Sequence, residues 1–131
     1  MKNASKLVFL LLISILSLGC KKQTVNLNEE FTLDFNKTAT VKMDGEKVTV
    51  KFTKLVDDSR CQPNQQCFWA GEVRVKIQLD GSQEFTLGLL SVDTPSSVEY
   101  KNRTFNLLEV KYNKTENFGK ENHCSIRLKV E

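Results

Sequence analysis

One histidine, one tryptophan, two prolines and two methionines occur in 131 residues. These scarcities narrow the chemistry. His123 is the only histidine, so any Cys–His hydrolase pair or His-containing zinc set must use it. Its neighbour Cys124 would point to the opposite face of a strand, away from the imidazole. A zinc set drawn from Cys61, Cys67, His123 and Cys124 competes with disulfide pairing, which an oxidising compartment favours. No Gly-rich phosphate loop, Ser-nucleophile elbow or calcium-loop spacing is present. Glu29, Glu30, Asp57, Asp58, Glu72 and Glu99 sit near strand ends or turns and read as solvated surface, not as an acid–base pair. No catalytic residue, metal or cofactor is therefore expected, and the chain is not expected to be an enzyme. Charge of one sign is not in excess: 19 basic and 16 acidic side chains give a formal +3. No basic patch argues for nucleic acid as a partner. There is no internal repeat, no low-complexity segment and no helical period.

One long apolar run is present, at the N-terminus. Lys2 and Lys6 precede Leu7–Leu18, built from Leu, Val, Phe, Ile and Ser. That is a positive n-region and an h-region of signal-peptide length, too short to span a membrane comfortably. Ser17-Leu18-Gly19-Cys20 resembles a bacterial lipobox, with Cys20 as the lipidated first residue of the mature chain. The common form has Leu three places before the cysteine; here Ser17 stands there and Leu16 one place further back. Residues 1–19 are expected to be a removed signal peptide, 20–28 a lipidated tether and 29–131 one β domain. An ordinary secreted protein cleaved nearby is the alternative. Lys21, Lys22 and Gln23 follow the cysteine without an acidic run, which points to the periplasmic face of an outer membrane.

The body reads as β throughout. Phe31, Leu33 and Phe35 alternate with polar residues, and Thr40–Met43 forms a second short segment. Asp44-Gly45 gives a hairpin signal. Val48, Val50 and Phe52 continue into Leu55-Val56. Val73, Val75, Ile77 and Leu79 alternate with Arg74, Lys76, Gln78 and Asp80. Asp80-Gly81 then turns the chain into Phe85, Leu87 and Leu89. Ser91–Ser97 reads as a loop and Tyr100–Arg103 as a turn. Leu107-Leu108 breaks the phase of the next strand, which predicts a bulge or a doubly buried strand. Asn113–Asn122 is polar, and Ile126, Leu128 and Val130 close the chain. The expectation is an all-β domain: one antiparallel β-sandwich or small β-barrel of about seven strands.

The chain is organised around Asp57–Glu72, which holds Cys61, Cys67 and Trp69. Pro63 and Asn64 make Gln62–Gln66 a tight loop. A disulfide across it contributes roughly 2.4 kcal/mol for a ring of about seven residues. The spacing is neither that of a redox Cys-x-x-Cys pair nor a usual zinc spacing. Cys124 is the odd cysteine once Cys20 is lipidated. It is either a buried free thiol or the partner of Cys61 or Cys67; local Cys61–Cys67 pairing is the expectation. Trp69 is expected to pack on the disulfide or cap the core, with an exposed aromatic platform as the alternative. Arg60 reads as an ion-pair partner at the loop base, or as a ligand-binding arginine.

Asp58-Ser59-Arg60-Cys61, Cys67 and Trp69-Ala70-Gly71 together resemble a motif of small bacterial envelope proteins, many of them lipoproteins. Those relatives carry Pro directly after the first cysteine; here Gln62 takes that place and Pro63 follows. The resemblance implies a β domain outside the cytoplasm and brings no activity with it. The function expected is a membrane-anchored, non-enzymatic binding module, held to the lipid bilayer through Cys20. Its contact residues would be Arg60, Gln62, Pro63, Asn64, Gln65 and Trp69, and its partner an envelope protein, a peptidase or a glycan. The alternative is a peptidase inhibitor acting through the disulfide-braced 61–67 loop, since pre-organisation lowers the ordering cost of binding.

Overall fold

Alternation decides which side of each strand enters the core. A computed structural model describes residues 22–131. The signal segment and the lipidation of Cys20 lie outside the described residues. The strands are β1 (Gln23–Asn26), β2 (Glu30–Asp34), β3 (Thr38–Met43), β4 (Glu46–Asp58) and β5 (Val73–Leu79). They continue with β6 (Gln83–Leu89), β7 (Ser97–Tyr100), β8 (Arg103–Tyr112) and β9 (Cys124–Val130). In β5 the buried residues Val73, Val75, Ile77 and Leu79 all point one way, and the long polar residues between them face out. β9 repeats this with Ile126, Leu128 and Val130.

Two sheets result, ordered β1-β3-β4-β5-β6 and β2-β9-β8-β7. They stack as a sandwich. Among the described residues no strand pairing joins them into a closed barrel. The core lies between them and includes Val41, Val48, Val50, Phe52, Ile77, Leu87, Phe105, Ile126 and Leu128. Hairpin turns fall where the sequence places them. Asp80 and Gly81 both adopt left-handed φ, of 50° and 71°, in the three-residue loop between the paired Leu79 and Gln83. Lys101 and Asn102 do the same between β7 and β8. The phase break at Leu107-Leu108 is a bulge, with the register shifting between Leu107 and Glu109.

The strand count exceeds the expected seven because of β1 and β7, each only four residues long. Part of the segment expected to be a tether is β1, which pairs parallel with β3 and buries Val25. One apolar residue in four gives no period to read.

The ends of β4, β6 and β8 and the starts of β5 and β9 meet at one end of the sandwich. The registers Asp58↔Val73, Val73↔Leu89 and Tyr112↔Cys124 place them there. Three connections therefore cluster at this end: residues 59–72, 90–96 and 113–123.

Candidate functional site

The 59–72 connection is fixed at its base. The Ser59 N–H donates to the Glu72 carbonyl at 2.8 Å, and the Glu72 N–H donates to Ser59 Oγ at 3.0 Å. Gly71 has φ +66°, and a Cβ there would lie 2.2 Å from the Ser59 carbonyl oxygen, so only glycine fits. Cys61 and Cys67 form the disulfide, with Cα atoms 5.8 Å apart. Inside that ring the Gln65 N–H donates to the Gln62 carbonyl at 3.2 Å, and Asn64 takes a left-handed φ of 68°.

Arg60 is bound more firmly than an exposed ion pair would be. Its Nε and Nη2 donate to the two carboxylate oxygens of Asp58 at 2.9 and 2.7 Å. Nη1 donates to the Val110 carbonyl at 3.0 Å, across to the other sheet. Asp58 also accepts from the Tyr112 hydroxyl at 2.7 Å. The Asp58 side chain is wholly buried, which corrects its reading as a solvated carboxylate. Four donors reach it, counting the Arg60 backbone N–H at 3.1 Å, and they replace the water it gives up. Burial is the largest single influence and works against the Arg60 charge. The Asp58 hydrogen bonds and charge, with a smaller part from Tyr112, together outweigh it and hold the guanidinium above its usual pKa. Burial and then the Asp58 hydrogen bond push the Tyr112 phenol well above the tyrosine range, so it remains a donor.

A groove of about 310 Å³ opens beside this clamp. Arg60, Val110, Tyr112 and Phe118 form its floor; Cys61, Pro63, Lys111, Lys114 and Thr115 form its rim. The Arg60 guanidinium lies over the Phe118 ring, 6.0 Å from the centroid, and the Tyr112 and Phe118 rings sit 5.1 Å apart. The 113–123 connection is tied down by Glu121, whose carboxylate accepts the Leu55 N–H at 2.7 Å. Three larger depressions lie elsewhere. Those at Gly88–Ser96 and Lys42–Lys47 are each lined by neighbouring residues of a single turn. One of about 390 Å³ lies between Met43–Glu46 and Lys101–Arg103, where charged residues of two hairpin turns face each other.

Trp69 does not pack into the core. It is 59% exposed, and Phe68 beside it is fully exposed. The Trp69 Nε1–H donates to the Ser59 carbonyl at 2.9 Å, which holds the ring against the loop base and outside the sandwich. Leu90 and Val92 are also exposed at this end. Of the expected contact residues, Arg60 and Pro63 line the groove. Gln62, Asn64 and Gln65 are exposed on the turn, and Trp69 stands on the opposite arm of the loop. Val110, Lys111, Tyr112, Lys114, Thr115 and Phe118 were not legible as site residues. Asp58-x-Arg60 offers a local signal for the ion pair, but nothing in the sequence marks Tyr112 or Phe118 as its neighbours.

His123 lies in a one-turn 3-10 segment, exposed, with Asn113 Nδ2 3.2 Å from its Nδ1. Cys124 is a buried free thiol. Burial first, and then the Asp58 charge, push it from 9.0 up to about 12. The unfolded thiol ionises near pH 9.0 while the folded one keeps its proton towards about 12. Its contribution is therefore complete below pH 9.0 and is lost as pH rises through that window. Cys124→Ala should flatten the alkaline fall in stability, read as urea midpoints on either side of the window. An unchanged alkaline limb would assign the loss to Tyr112. Among the described residues no three of His, Cys, Asp and Glu converge as a metal-holding group. None of their helices is long and apolar enough to cross a membrane.

The fold and site define a two-sheet β-sandwich with a disulfide-braced loop at one end. No protein-family model matches the chain, and neither a curated protein nor a solved structure matches it.

Proposed function

We propose that the protein is a non-enzymatic binding module of the bacterial cell envelope. A lipid on Cys20 anchors it to the outer membrane, facing the periplasm, and its loop end makes the contacts. One observation carries the reading: Phe68 and Trp69 are exposed on a connection whose base is held rigid. Large aromatic side chains in water on a pre-organised loop are the usual anchors of recognition, because little ordering remains to be done on binding. The disulfide removes Cys61 and Cys67 as nucleophiles, and the Cys124 thiol is buried, which supports a non-enzymatic role.

The inhibitor reading draws on the same bracing. The turn at Gln62–Gln65, with Asn64 left-handed, counts against it, since a peptidase cleft takes extended backbone. An envelope protein or glycan as partner fits the exposed pair better.

The test is crosslinking in cells with the tagged full chain and with Phe68→Ala/Trp69→Ala. Phe68 is fully exposed, and Trp69 gives up its hydrogen bond to the Ser59 carbonyl while the Ser59–Glu72 hydrogen bonds and the disulfide remain. The variant should therefore lose about 1–2 kcal/mol of stability and stay folded. A crosslinked partner that disappears in the folded variant is the expected result. Identical crosslinks from both chains would remove the loop from the interaction. Labelled fatty acid incorporated by the parent and not by Cys20→Ala checks the anchor.

A further inference from the structure

We infer that the Arg60 groove binds the carboxylate end of an extended peptide whose last side chain is apolar. The inference deepens the binding-module reading and rests on it.

The lining is electrically one-sided. Arg60, Lys111 and Lys114 contribute three cations, and no lining residue is acidic. Asp58, which balances Arg60, sits behind it with no exposed side-chain surface. Lys114 has only a long contact with Glu116, at 3.9 Å, and both side chains are largely in water. Such a contact leaves the ammonium available to a ligand.

Arg60 still has donors to give. A guanidinium carries five N–H groups, and three are used: Nε and Nη2 on Asp58 and Nη1 on Val110. One N–H remains on each terminal nitrogen. A carboxylate can take hydrogen bonds from such a pair. The charge is already fixed in place by Asp58, so no side-chain ordering opposes the ligand at this point.

The rest of the groove is not built for a bare anion. Phe118, the Tyr112 ring and Pro63 supply apolar wall beside the guanidinium. An inorganic ion would leave that wall in water, whereas a carboxylate joined to an apolar group covers it. The volume, about 310 Å³, lies at the small end of ligand pockets. That suits one or two residues of a chain end and leaves no room for a long acyl chain. A peptide terminus and a free fatty acid share the carboxylate-on-apolar-body chemistry, and the size selects the peptide.

The experiment is fluorescence anisotropy with the full chain in detergent and two peptides labelled at the N-terminus. Both end in phenylalanine, one as the free acid and one as the amide. The free acid should bind, and the amide should bind at least about 10-fold more weakly, the loss expected for a charge-assisted contact. Lys111→Gln/Lys114→Gln should weaken the free acid about 3- to 10-fold and reduce its salt dependence. Phe118→Ala should weaken both peptides. The lysine variant carries the decision if Phe118→Ala disturbs the loop, since both lysines are exposed. Equal binding of acid and amide overturns the inference, as does full affinity in the lysine variant or silence at millimolar peptide. Octanoate displacing the peptide more readily than unlabelled peptide does would overturn the peptide assignment. Phosphate doing so would overturn the carboxylate. If the peptides are silent while crosslinking in cells still depends on Phe68 and Trp69, the groove assignment falls and the binding-module reading stands. Crosslinking that ignores Phe68 and Trp69, beside peptide binding that needs Lys111 and Lys114, puts recognition in the groove alone.

Discussion

Arg60→Ala will cost the domain about 3 kcal/mol or more, at the lower end of what breaking a buried ion pair costs. The reason is what remains behind. Asp58 keeps its wholly buried side chain and loses the two guanidinium bonds at 2.9 and 2.7 Å. Only Tyr112 and the backbone N–H of residue 60 are left to solvate a carboxylate. The lower end is the right choice because the Arg60 side chain itself is 20% exposed. For a domain of this size the loss corresponds to a melting point lower by roughly 15 °C. Arg60→Met with Asp58→Asn should recover much of it, since removing both charges leaves neither stranded. Urea unfolding of the three chains measures the effect. A loss under about 1 kcal/mol in Arg60→Ala would mean that the pair is solvated in solution and that Asp58 is not a fastening point.

That fastening point has a counterpart. At the far end of the sandwich Asp80, in the β5–β6 turn, accepts from the Tyr100 hydroxyl at 3.0 Å and lies 3.0 Å from Lys101 Nζ. Each end therefore joins the sheets through an aspartate of one, a tyrosine of the other, and a cation. The two differ in what surrounds them. The Asp80 end is three short hairpin turns, Asp44-Gly45, Asp80–Ser82 and Lys101-Asn102, tied together by the ion pairs of Lys101 with Glu46 and Asp80 and of Arg103 with Asp44. The Asp58 end carries a disulfide loop, two exposed aromatic residues and a groove. Similar fastening at both ends separates the structural task from the recognition task, and among the described residues it is the Asp58 end that exposes large aromatic side chains.

Strands were legible where burial is one-sided and long enough to repeat. Val73–Leu79 and Ile126–Val130 show period two over their whole length, and Asp44-Gly45 and Asp80-Gly81 mark the turns by the φ angles they tolerate. β1 was not legible, because Gln23–Asn26 is held by pairing with β3 and by one valine. The site was half legible. Its disulfide and its Arg60 belong to one short stretch, so the sequence shows them together. Tyr112 and Phe118 reach Arg60 through the register of β8 on β9 and through the path of the 113–123 connection. Both are tertiary facts with no local signature. Trp69 misled for a related reason: a lone tryptophan in a small domain usually fills core, but here its N–H is claimed by Ser59 at the loop base.

Phe52→Ala is expected to be as damaging as the loss of Arg60, at about 3–5 kcal/mol. Phe52 is fully buried between the sheets, and its ring meets Phe35 edge-on at 5.8 Å. Removing the ring forfeits its transfer energy, opens a cavity and removes an aromatic pair worth about 0.5–1.5 kcal/mol. Position adds a second consequence. The register of β4 on β5 shifts just after Phe52, and again after Leu55, before the strand delivers Asp58 and Arg60 to the groove. Bulges bend a strand and hold only while their neighbours are fixed. Phe52 is one such neighbour: its N–H donates to the Lys37 carbonyl at 3.2 Å and its carbonyl accepts the Asn36 N–H at 2.8 Å. In Phe52→Ala, amide hydrogen exchange should therefore rise at Leu55 and Asp58 more than at Val75 or Ile77, which stay paired with β6. Phe52→Leu fills most of the space and should keep the exchange pattern while losing only part of the stability. Uniform acceleration across β4 and β5 would mean that the ring supports the sandwich as a whole and does not aim the groove. Selective acceleration would tie the position of Arg60 to a side chain eight residues before it in the chain.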